Sequence, residues 1–488
     1  MSETEHVDVV IVGAGISGID AAYRLQTMCP GKSYVILEAR DRLGGTWDLF
    51  RYPGIRSDSD MYTLGFPFAP WTEETAIADG ATIWAYLDRT ARAYGIDRRI
   101  RYGSKVVAQS WDSGTASWTL DIVTTDGRRR LTTSFVHSCT GYYSFDRGYT
   151  PDYPGREVFR GRLVHPQLWP EGLDVAGRRV VVVGSGATAM TLVPALALKG
   201  ADVTMLQRSP TYVISQPDVD PLAKPLTRAL GAERASTVLR WKNVVTSTGF
   251  YRLCRRRPRL ARRLLLGLAR KPLREAGVDE RHFSPRYNPW DQRLCVVPNG
   301  DLFRALASGK AHVVTDTIDT FVPEGIRTTS GDVILADIVV SATGLCLLIG
   351  GGTTTTVDGE RVDVADRFAY RGLMIEGVPN ATMSIGYVNA SWTLRADLVA
   401  QYVCRLINRI DERHAAYAYA KPPAAMQGPP LLDLTAGYVQ RGLGALPKQG
   451  DRRPWTVEQS YLTERRGIGR ADIDEDMVFV PARVTVPS

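Results

Sequence analysis

Short runs of β-branched and other apolar residues alternate along the chain with longer segments in which apolar residues recur at helical spacing. The runs at 7–12 (VDVVIV), 33–37 (SYVIL) and 179–183 (RVVVV) predict buried parallel strands. Helical spacing follows the first and third runs, at Ile19, Ala22 and Leu25 and then at Leu192, Val193 and Leu196. Strands that alternate with helices in this way predict an α/β protein.

The first strand leads into GAGISG, with glycines at Gly13, Gly15 and Gly18 and a serine at Ser17. The first glycine permits a tight turn, the second lets the backbone approach a pyrophosphate, and the third lets the helix pack closely on the strand. The pyrophosphate would lie at the helix N-terminus, where unpaired N–H groups favour negative charge. Glu38, at the end of the next strand, occupies the position from which a carboxylate binds ribose hydroxyls. The pattern predicts a dinucleotide site.

A second motif, GSGATA, follows the strand at 179–183. Its residues are Gly184, Ser185, Gly186, Ala187, Thr188 and Ala189. The next strand ends at Arg208 and Ser209, without the acid that an NAD site would carry, and an arginine there suits the 2′-phosphate of NADP. The alternative is a surface arginine at a strand end. Two dinucleotide folds predict a bound flavin with a diffusible hydride donor, and hence a flavin reductase, an oxidase or a monooxygenase.

Two further motifs carry a family resemblance. The first consists of Phe159, Gly161, His165 and Trp169, followed by a proline, and the second runs over 44–58 (GGTWDLFRYPGIRSD). Both resemble the class B flavoprotein monooxygenases in their Baeyer–Villiger form, and the similarity continues nearly end to end, through YNPWDQRLCVVPNGDLFRA and GYVNASWTL. The chain looks most like the branch whose members also oxidise thioamide prodrugs at sulfur.

The resemblance implies roles for particular residues. The catalytic arginine of the family falls on Arg293 and its supporting carboxylate on Asp58. The remaining FAD contacts that we expect are Gly45, Thr46, Trp47, Asp58 and Val106, and the remaining NADP contacts are Arg56 and Ser57. We interpret His165 as a linker residue that positions the domains. Many relatives carry a lysine directly before the arginine, whereas this chain has Gln292, so that we expect Arg208 and Ser209 to take over the NADP phosphate.

The resemblance also implies a reaction. NADPH would reduce FAD, the reduced flavin would add dioxygen, and the resulting flavin peroxide would convert ketones or aldehydes to esters, or oxidise sulfides and thioamides. Arg293 would supply positive charge that Asp58 orients. The rivals are a flavin monooxygenase limited to nitrogen or sulfur, and a disulfide reductase, which needs paired redox cysteines. A nucleotide-binding membrane-associated sensor is the non-enzymatic alternative.

Beyond these motifs, the composition of the chain shows one strongly basic segment and sets few other limits on its function. Between Tyr251 and Glu275 the chain carries ten Lys or Arg residues, which contribute much of the net charge of +8. Such a run is typical of a solvated helix face, and its interleaved leucines also suit peripheral contact with an anionic membrane. No nucleic-acid-binding motif accompanies it. The six cysteines lie far apart, without metal-ligand spacing, as expected for reduced thiols in a cytoplasmic protein. The N-terminus is acidic and lacks the pattern of a signal peptide.

These patterns predict two Rossmann-like domains, for FAD and NADP, with a helical insertion. We expect the FAD domain at 1–141 and, with the C-terminal tail, at 341–488; a linker at 142–178; the NADP domain at 179–215 and 291–340; and the insertion at 216–290. The run at 336–344 (ADIVVSATG) is interpreted as the strand that returns the chain to the FAD domain.

Overall fold

The computed structural model describes residues 5–432 and 437–482. The strands of residues 5–178 are β1 (His6–Val12), β2 (Tyr34–Leu37), β3 (Ile100–Arg101), β4 (Lys105–Asp112), β5 (Ser117–Thr124), β6 (Gly127–Ser138), β7 (Tyr143–Gly148) and β8 (Arg162–Val164). The helices of the same segment are α1 (Ile16–Met28), α2 (Thr46–Leu49), α3 (Met61–Leu64) and α4 (Gly80–Ala93).

The middle of the chain, residues 179–344, continues this numbering. Its strands are β9 (Arg179–Val183), β10 (Asp202–Gln207), β11 (Val213–Gln216), β12 (Cys295–Pro298), β13 (Ala311–Thr315), β14 (Ile318–Val322), β15 (Gly325–Thr328), β16 (Val333–Leu335) and β17 (Ile338–Ser341). Its helices are α5 (Ala187–Leu198), α6 (Ala223–Leu230), α7 (Ala232–Arg256), α8 (Pro258–Glu275) and α9 (Asp301–Ala307).

The last part of the chain contributes short strands and one long helix. Its strands are β18 (Leu345–Leu347), β19 (Thr354–Val357), β20 (Glu360–Arg361), β21 (Ala369–Tyr370), β22 (Met374–Ile375), β23 (Ala381–Met383), β24 (Ala415–Ala420) and β25 (Met477–Pro481). Its helices are α10 (Trp392–Glu412), α11 (Gly437–Gly442) and α12 (Tyr461–Gly467).

The first sheet has the strand order β20-β19-β4-β5-β6-β1-β2-β3, and β23 pairs with β6. Strand β1 lies between β2 and β6, parallel to both. Val9 and Ile11 pack into the core that contains α1 and α10, whereas Val10 packs into the core on the other face. Because both faces of this strand are covered, its sequence is a continuous apolar run rather than an alternating one.

The second sheet is parallel and has the order β13-β10-β9-β17-β8. Val180 and Val182 of its central strand β9 face one core, and Val181 and Val183 face the other. The two sheets together confirm the predicted α/β fold, with two nucleotide-binding folds in one chain.

Two details of the predicted organisation differ from the structure. The strand within 336–344 does not return the chain to the first sheet, because β17 pairs with both β8 and β9 in the second sheet. The return is made by β19 and β23, which pair with β4 and β6. The segment 142–178 is also more than a linker, since its strand β8 forms an edge of the second sheet. Both differences arise from pairing between distant strands, which apolar runs alone do not specify.

The basic segment lies in an insertion between β11 and β12. These two strands pair in parallel, so that the insertion leaves and rejoins the second fold at neighbouring positions. Helices α6, α7 and α8 fill the interval. Within the described residues, no helix is long and apolar enough to cross a membrane.

Candidate active site

A cavity of about 1100 Å³ lies between the two nucleotide folds. It begins at the carboxyl ends of β1 and β2, which is where ligands bind in open α/β sheets. The predicted site residues that line it are Gly13, Gly15, Ser17, Glu38, Gly45, Thr46, Trp47, Arg56, Ser57, Asp58, Val106, His165, Ala187, Thr188 and Arg293. The predicted residues that lie outside its lining are Gly18, Phe159, Gly161, Trp169, Gly184, Ser185, Gly186, Ala189, Arg208 and Ser209.

The first glycine motif forms a strip of bare backbone at the cavity wall. Gly13 has a φ of +105°, and a Cβ there would lie 2.7 Å from the carbonyl oxygen of Cys139. A Cβ on Gly18 would lie 1.9 Å from the carbonyl oxygen of Gly13, so that the start of α1 packs directly on the turn. A Cβ on Gly45 would lie 3.1 Å from the Cα of Gly15. The absence of side chains leaves room for a pyrophosphate at the N-terminus of α1.

Glu38 closes this cradle on the side of β2. Its two carboxylate oxygens accept hydrogen bonds from the backbone N–H of Ala14, at 2.7 Å, and of Arg40, at 2.9 Å. Burial raises the pKa of Glu38, and these two N–H donors act against the rise. Each oxygen retains a second acceptor position, so that the carboxylate can also bind ribose hydroxyls. The donor set and the bare glycine strip therefore fit the ADP half of FAD.

Val106 lies on the same side of the cavity, in β4. Its side chain is buried, and its carbonyl oxygen accepts a hydrogen bond from the Thr353 hydroxyl at 3.2 Å. Val106 thus lies at the cavity, where the predicted adenine contact would need it.

The segment 44–58 carries aromatic and hydroxyl groups to the middle of the cavity. The Thr46 hydroxyl lies 2.6 Å from the Tyr143 hydroxyl, and Trp47 is half-buried in the wall. A Cβ on Gly54 would lie 2.7 Å from the Cβ of Ala195 in α5, so that this loop packs closely against the second fold. The close packing explains how one loop can contact ligands of both folds.

Asp58 and Arg293 both line the cavity but form no ion pair or hydrogen bond with each other. Burial raises the pKa of Asp58, and the charges of Arg293 and Arg56 oppose the rise. No ion pair joins the described side chains of Asp58 and Arg293, and the Arg293 Nε instead donates to the carbonyl oxygen of Val388 at 3.0 Å. The charges of Asp58 and Arg293 favour each other's ionised forms without an ion pair, and the guanidinium is held by its hydrogen bond to the Val388 carbonyl.

The Arg293 guanidinium is accessible to solvent through the cavity, although protein atoms surround it densely. Burial disfavours its charged form, whereas Tyr142, Tyr438 and Asp58 favour it, and the net result is a pKa of Arg293 above the ordinary value. A cation that keeps its proton therefore projects into the cavity.

The second glycine motif is more open than the first. A Cβ on Gly184 would lie 2.4 Å from the carbonyl oxygen of Ala342, but a Cβ on Gly186 would meet nothing within 4 Å. Ala189 is fully buried at the third position. The motif contributes Ala187 and Thr188 to the cavity lining, which its two glycines do not reach.

Arg208 and Ser209 lie exposed beside this motif. The Ser185 hydroxyl donates to the carbonyl oxygen of Ser209 at 2.9 Å, which joins the glycine turn to the end of β10. Arg208 makes no hydrogen bond or ion pair with the described residues, and its guanidinium is free to bind an added phosphate. These features fit the adenosine end of an NADP nucleotide.

The two residues predicted to face NADP from the first fold already have partners. Arg56 forms an ion pair of 2.5 Å with Asp301, at the start of α9. The buried Ser57 hydroxyl donates to the carbonyl oxygen of Ser59 and accepts from its N–H. Of the two, Arg56 can still bind NADP as predicted, because its guanidinium has further N–H donors beyond those used by Asp301.

The histidine motif forms a junction rather than a reactive group. His165 Nδ1 accepts from the N–H of Gln167 at 3.1 Å, and Nε2 lies 3.3 Å from the carbonyl oxygen of Gly344, where it can donate. Burial lowers the pKa of His165, which favours this neutral tautomer. Phe159 packs against Phe321 at 5.5 Å, Trp169 packs on the core of the second fold, and a Cβ on Gly161 would clash with Phe159.

Several cavity residues are absent from the sequence-based prediction. Tyr142 stacks on Trp392 at 5.4 Å, burial raises the pKa of Tyr142 to about 12, and the Trp392 Nε1 donates to the Ser17 hydroxyl at 2.8 Å. Helix α7 adds a polar wall, which consists of Lys242, Asn243, Thr246 and Ser247. The position of Tyr142 in the loop between β6 and β7 was a usable signal, since loops at the carboxyl ends of parallel strands form sites. No local signal marks the residues of α7.

The fold and the cavity define a class of protein, a two-dinucleotide-fold oxidoreductase with a cationic side chain between its two nucleotide sites. The family described as pyridine nucleotide-disulphide oxidoreductase matches residues 10–244. All six cysteines, each within the described residues, are free, and burial raises the pKa of the cavity-lining Cys139 well above its ordinary value. The cavity thus lacks the reactive cysteine pair of a disulfide reductase.

Full-length relatives narrow the class. The chain is 53% identical over 475 residues to the FAD-containing monooxygenase EthA of Mycobacterium tuberculosis (strain ATCC 25618 / H37Rv), which covers 97% of each chain. It is 49% identical over 486 residues to EthA of Mycolicibacterium smegmatis (strain ATCC 700084 / mc(2)155), with 99% of each chain covered. The probable FAD-binding monooxygenase AlmA of Acinetobacter baylyi (strain ATCC 33305 / BD413 / ADP1) is 44% identical over 480 residues, 97% of this chain and 96% of AlmA.

Solved structures share the fold. An oxidised steroid monooxygenase bound to NADP superposes with a TM-score of 0.76 at 22% identity, and the open form of cyclohexanone monooxygenase with 0.77 at 19%. Each match covers 98% of this chain and 100% of the other. The chain belongs to the family of FAD-containing monooxygenases that includes EthA. The predicted family is therefore confirmed, and FAD and NADP are confirmed as the cofactors at the level of the family.

Proposed function

We propose that this protein is an NADPH-dependent Baeyer–Villiger monooxygenase, which inserts one oxygen atom of dioxygen into ketones or aldehydes to give esters. The observation that carries the proposal is the Arg293 guanidinium, which projects into the cavity that the FAD cradle also lines. The cofactors are FAD and NADPH, and the partners are dioxygen and a small ketone, aldehyde or sulfur compound.

The two folds divide the cofactors between them. Gly13, Gly15 and Glu38 would hold the ADP half of FAD, together with Ser17, Gly18, Gly45, Thr46, Trp47, Asp58 and Val106 around the rest of the molecule. NADPH would contact the second motif, with Arg208 and Ser209 at its 2′-phosphate and Arg56 nearer the centre of the cavity. When bound, FAD supplies the acceptor for hydride and the centre that reacts with dioxygen.

The chain itself supplies fixed positive charge. Arg293 keeps its proton at all relevant pH values, and the Val388 carbonyl holds its Nε in place. A preorganised donor aimed at developing negative charge contributes about 3 kcal/mol to the stabilisation of a transition state. The Asp58 carboxylate offsets part of the cost of holding this cation between Tyr142 and Tyr438.

Water exclusion is the second contribution of the protein. Tyr142, Trp392 and Trp47 line the middle of the cavity with aromatic surface, and Phe250 and Trp290 line the side of the insertion. Once both cofactors fill the cavity, these aromatic walls would exclude water and thereby strengthen the effect of the nearby guanidinium. The same enclosure suits attack on a carbonyl carbon and transfer of oxygen to a sulfide or thioamide sulfur.

The test is the Arg293→Ala substitution. We expect the variant to retain FAD and to be reduced by NADPH, yet to release hydrogen peroxide in place of ester, with a loss of ester formation of about 100-fold or more. Ester and peroxide are measured together against NADPH consumed. Arg293→Lys should recover part of the product, because it restores a positive charge, and Arg327→Ala, at an exposed position in β15, is the matched control.

The outcomes distinguish the proposal from its nearest rival. Ester formation at the normal rate by Arg293→Ala would show that the role given to Arg293 is wrong. A wild-type enzyme that oxidises thioethers but no ketone or aldehyde would instead be a monooxygenase limited to nitrogen or sulfur.

A further inference from the structure

Exposed apolar side chains are concentrated in and around the helical insertion. Among the described residues, sixteen large apolar side chains are exposed, and eight of them lie between 219 and 268. These eight are Val219, Leu222, Leu230, Val238, Val245, Leu260, Leu264 and Leu268. Half of the exposed apolar residues thus fall in about a tenth of the chain, which scattered surface residues would not produce.

Three of these side chains form a row on α8. Leu260, Leu264 and Leu268 are 49%, 49% and 67% exposed, and their spacing of four residues places them along one face of the helix. We call these three residues the leucine ridge. The core-facing side of α8 is formed by Ala261, Leu265, Ala269 and Leu273, all of which are buried. The helix therefore satisfies its packing without the ridge, which leaves the ridge without a partner among the described residues.

Positive charge surrounds the ridge. In the segment 251–275, the exposed arginines that have no hydrogen bond or ion pair with described residues are Arg252, Arg256, Arg257, Arg259, Arg263 and Arg274. Glu275 is the acid at the C-terminal end of α8, and Lys271 lies 3.8 Å from it. A solvated face would need the charges but not the leucines, whereas leucines flanked by cations are the pattern of an amphipathic helix at a membrane surface.

We propose that the leucine ridge docks on an anionic membrane surface. Leucine side chains at an interface enter the boundary between headgroups and acyl chains, while flanking arginines reach the lipid phosphates. Positive charge opposite negative lipid is the complementarity that selects this occupant. A second copy of the chain fits poorly, because a symmetric contact through the ridge would place arginines against arginines.

Docking has a consequence that rests on the proposed function. Helix α7 precedes α8 directly, and its Asn243, Ser247 and Phe250 line the cavity. The segment that would contact the membrane is thus continuous with one wall of the active site. Apolar ketones or thioethers dissolved in the lipid would reach the cavity through this insertion.

The leucine arm of the test uses vesicle flotation with the full-length FAD-loaded protein. Vesicles of phosphatidylglycerol mixed with phosphatidylcholine are compared with vesicles of phosphatidylcholine alone. We expect binding to the anionic vesicles, and a loss of at least about tenfold in the triple variant Leu260→Gln, Leu264→Gln and Leu268→Gln. The matched control, with the same substitution at the exposed residues Leu198, Val333 and Leu335, should bind as the wild type does.

The charge arm replaces Arg259, Arg263 and Arg274 with glutamine. Each cation near an anionic surface strengthens binding about fivefold, so that the triple variant should bind about a hundredfold more weakly. Its control replaces the exposed Arg98, Arg128 and Arg129 with glutamine, which changes the net charge equally. NADPH consumption with a water-soluble substrate should be the same in every variant, which separates this test from that of the proposed function.

Three results would overturn the proposal. The first is the absence of wild-type binding to anionic vesicles, and the second is unchanged binding by the leucine variant. The third is a wild-type dimer that becomes monomeric in the leucine variant without any vesicle binding, which would identify a second copy of the chain as the occupant.

Discussion

The two nucleotide folds of this protein share a strand–glycine–helix motif but differ in how closely the chain surrounds it. At the second glycine of the motif, a Cβ on Gly15 in the first fold would lie 3.6 Å from the Cα of Gly45, and Glu38 is buried. In the second fold, the Cβ position of Gly186 is empty to 4 Å, and Arg208 is exposed. The first motif therefore forms an enclosed site, and the second forms an open one.

The difference suits two kinds of cofactor. An enclosed site with a buried carboxylate holds a ligand that dissociates slowly, as a resident flavin must. An open site with an exposed arginine allows a nucleotide to bind and leave in each catalytic cycle, and its affinity depends on a few surface charges. Substitutions in the first fold should therefore alter folding and flavin content, whereas those in the second should alter coenzyme use.

The largest expected effect is that of Gly18→Ala. The new methyl group would collide with the backbone of Gly13, which cannot move without displacing β1, and we expect destabilisation of about 4 kcal/mol or more. The variant should lose FAD, measured as the ratio of flavin to protein absorbance. Gly186→Ala, at the open second position of the other motif, is the control and should retain FAD fully. Equal flavin content in the two variants would refute the close packing of the first turn at Gly18.

A smaller effect, on the pH dependence of stability, should come from substitution of His137, which lies fully buried in β6 of the first sheet. Burial lowers its pKa to about 4, so that the folded protein holds it neutral while the unfolded chain protonates near pH 6.5. The contribution of neutral His137 to the free energy of unfolding is fully present above pH 6.5. It decreases by about 3 kcal/mol as the pH falls towards 4, because the unfolded chain binds a proton that the folded protein does not.

The measurement is urea unfolding of wild type and His137→Gln between pH 7.5 and pH 4.5. We expect the variant to show a flatter dependence on pH, and His6→Gln, at the exposed start of β1, to behave as the wild type does. Parallel pH profiles for wild type and His137→Gln would contradict the interpretation.

The smallest expected effect is that of Arg208→Ala in the open fold. Loss of a charge-assisted hydrogen bond to phosphate costs about 1.5–3 kcal/mol, which corresponds to a rise of about 10-fold to 100-fold in the KM for NADPH. The KM for NADH should not change, because NADH lacks the 2′-phosphate, and flavin content should also be unchanged. An equal rise in KM for both coenzymes would mean that Arg208 does not bind the 2′-phosphate.

Local sequence patterns were sufficient to predict the strands and turns that carry the two glycine motifs. The runs at 7–12 and 179–183 correspond to β1 and β9, and Gly13, Glu38 and Arg208 lie at the ends of strands, as predicted. These features depend on residues that are close in sequence, since a glycine turn and the strand before it form one local unit. The apolar run at 336–344 was also correctly interpreted as a strand, but its place in the second sheet was not.

The sequence by itself determined the two glycine turns, the buried strands and the cationic character of Arg293, because each of these follows from the chemistry of a few neighbouring residues. The tertiary structure alone decided that the Val388 carbonyl accepts from Arg293, that Asp58 forms no ion pair with Arg293, and that α7 forms a wall of the cavity. It also decided that one glycine motif is enclosed and the other open. The physical reason is that enclosure depends on which distant backbone lies against a turn, and such contacts are created by packing rather than by local conformation.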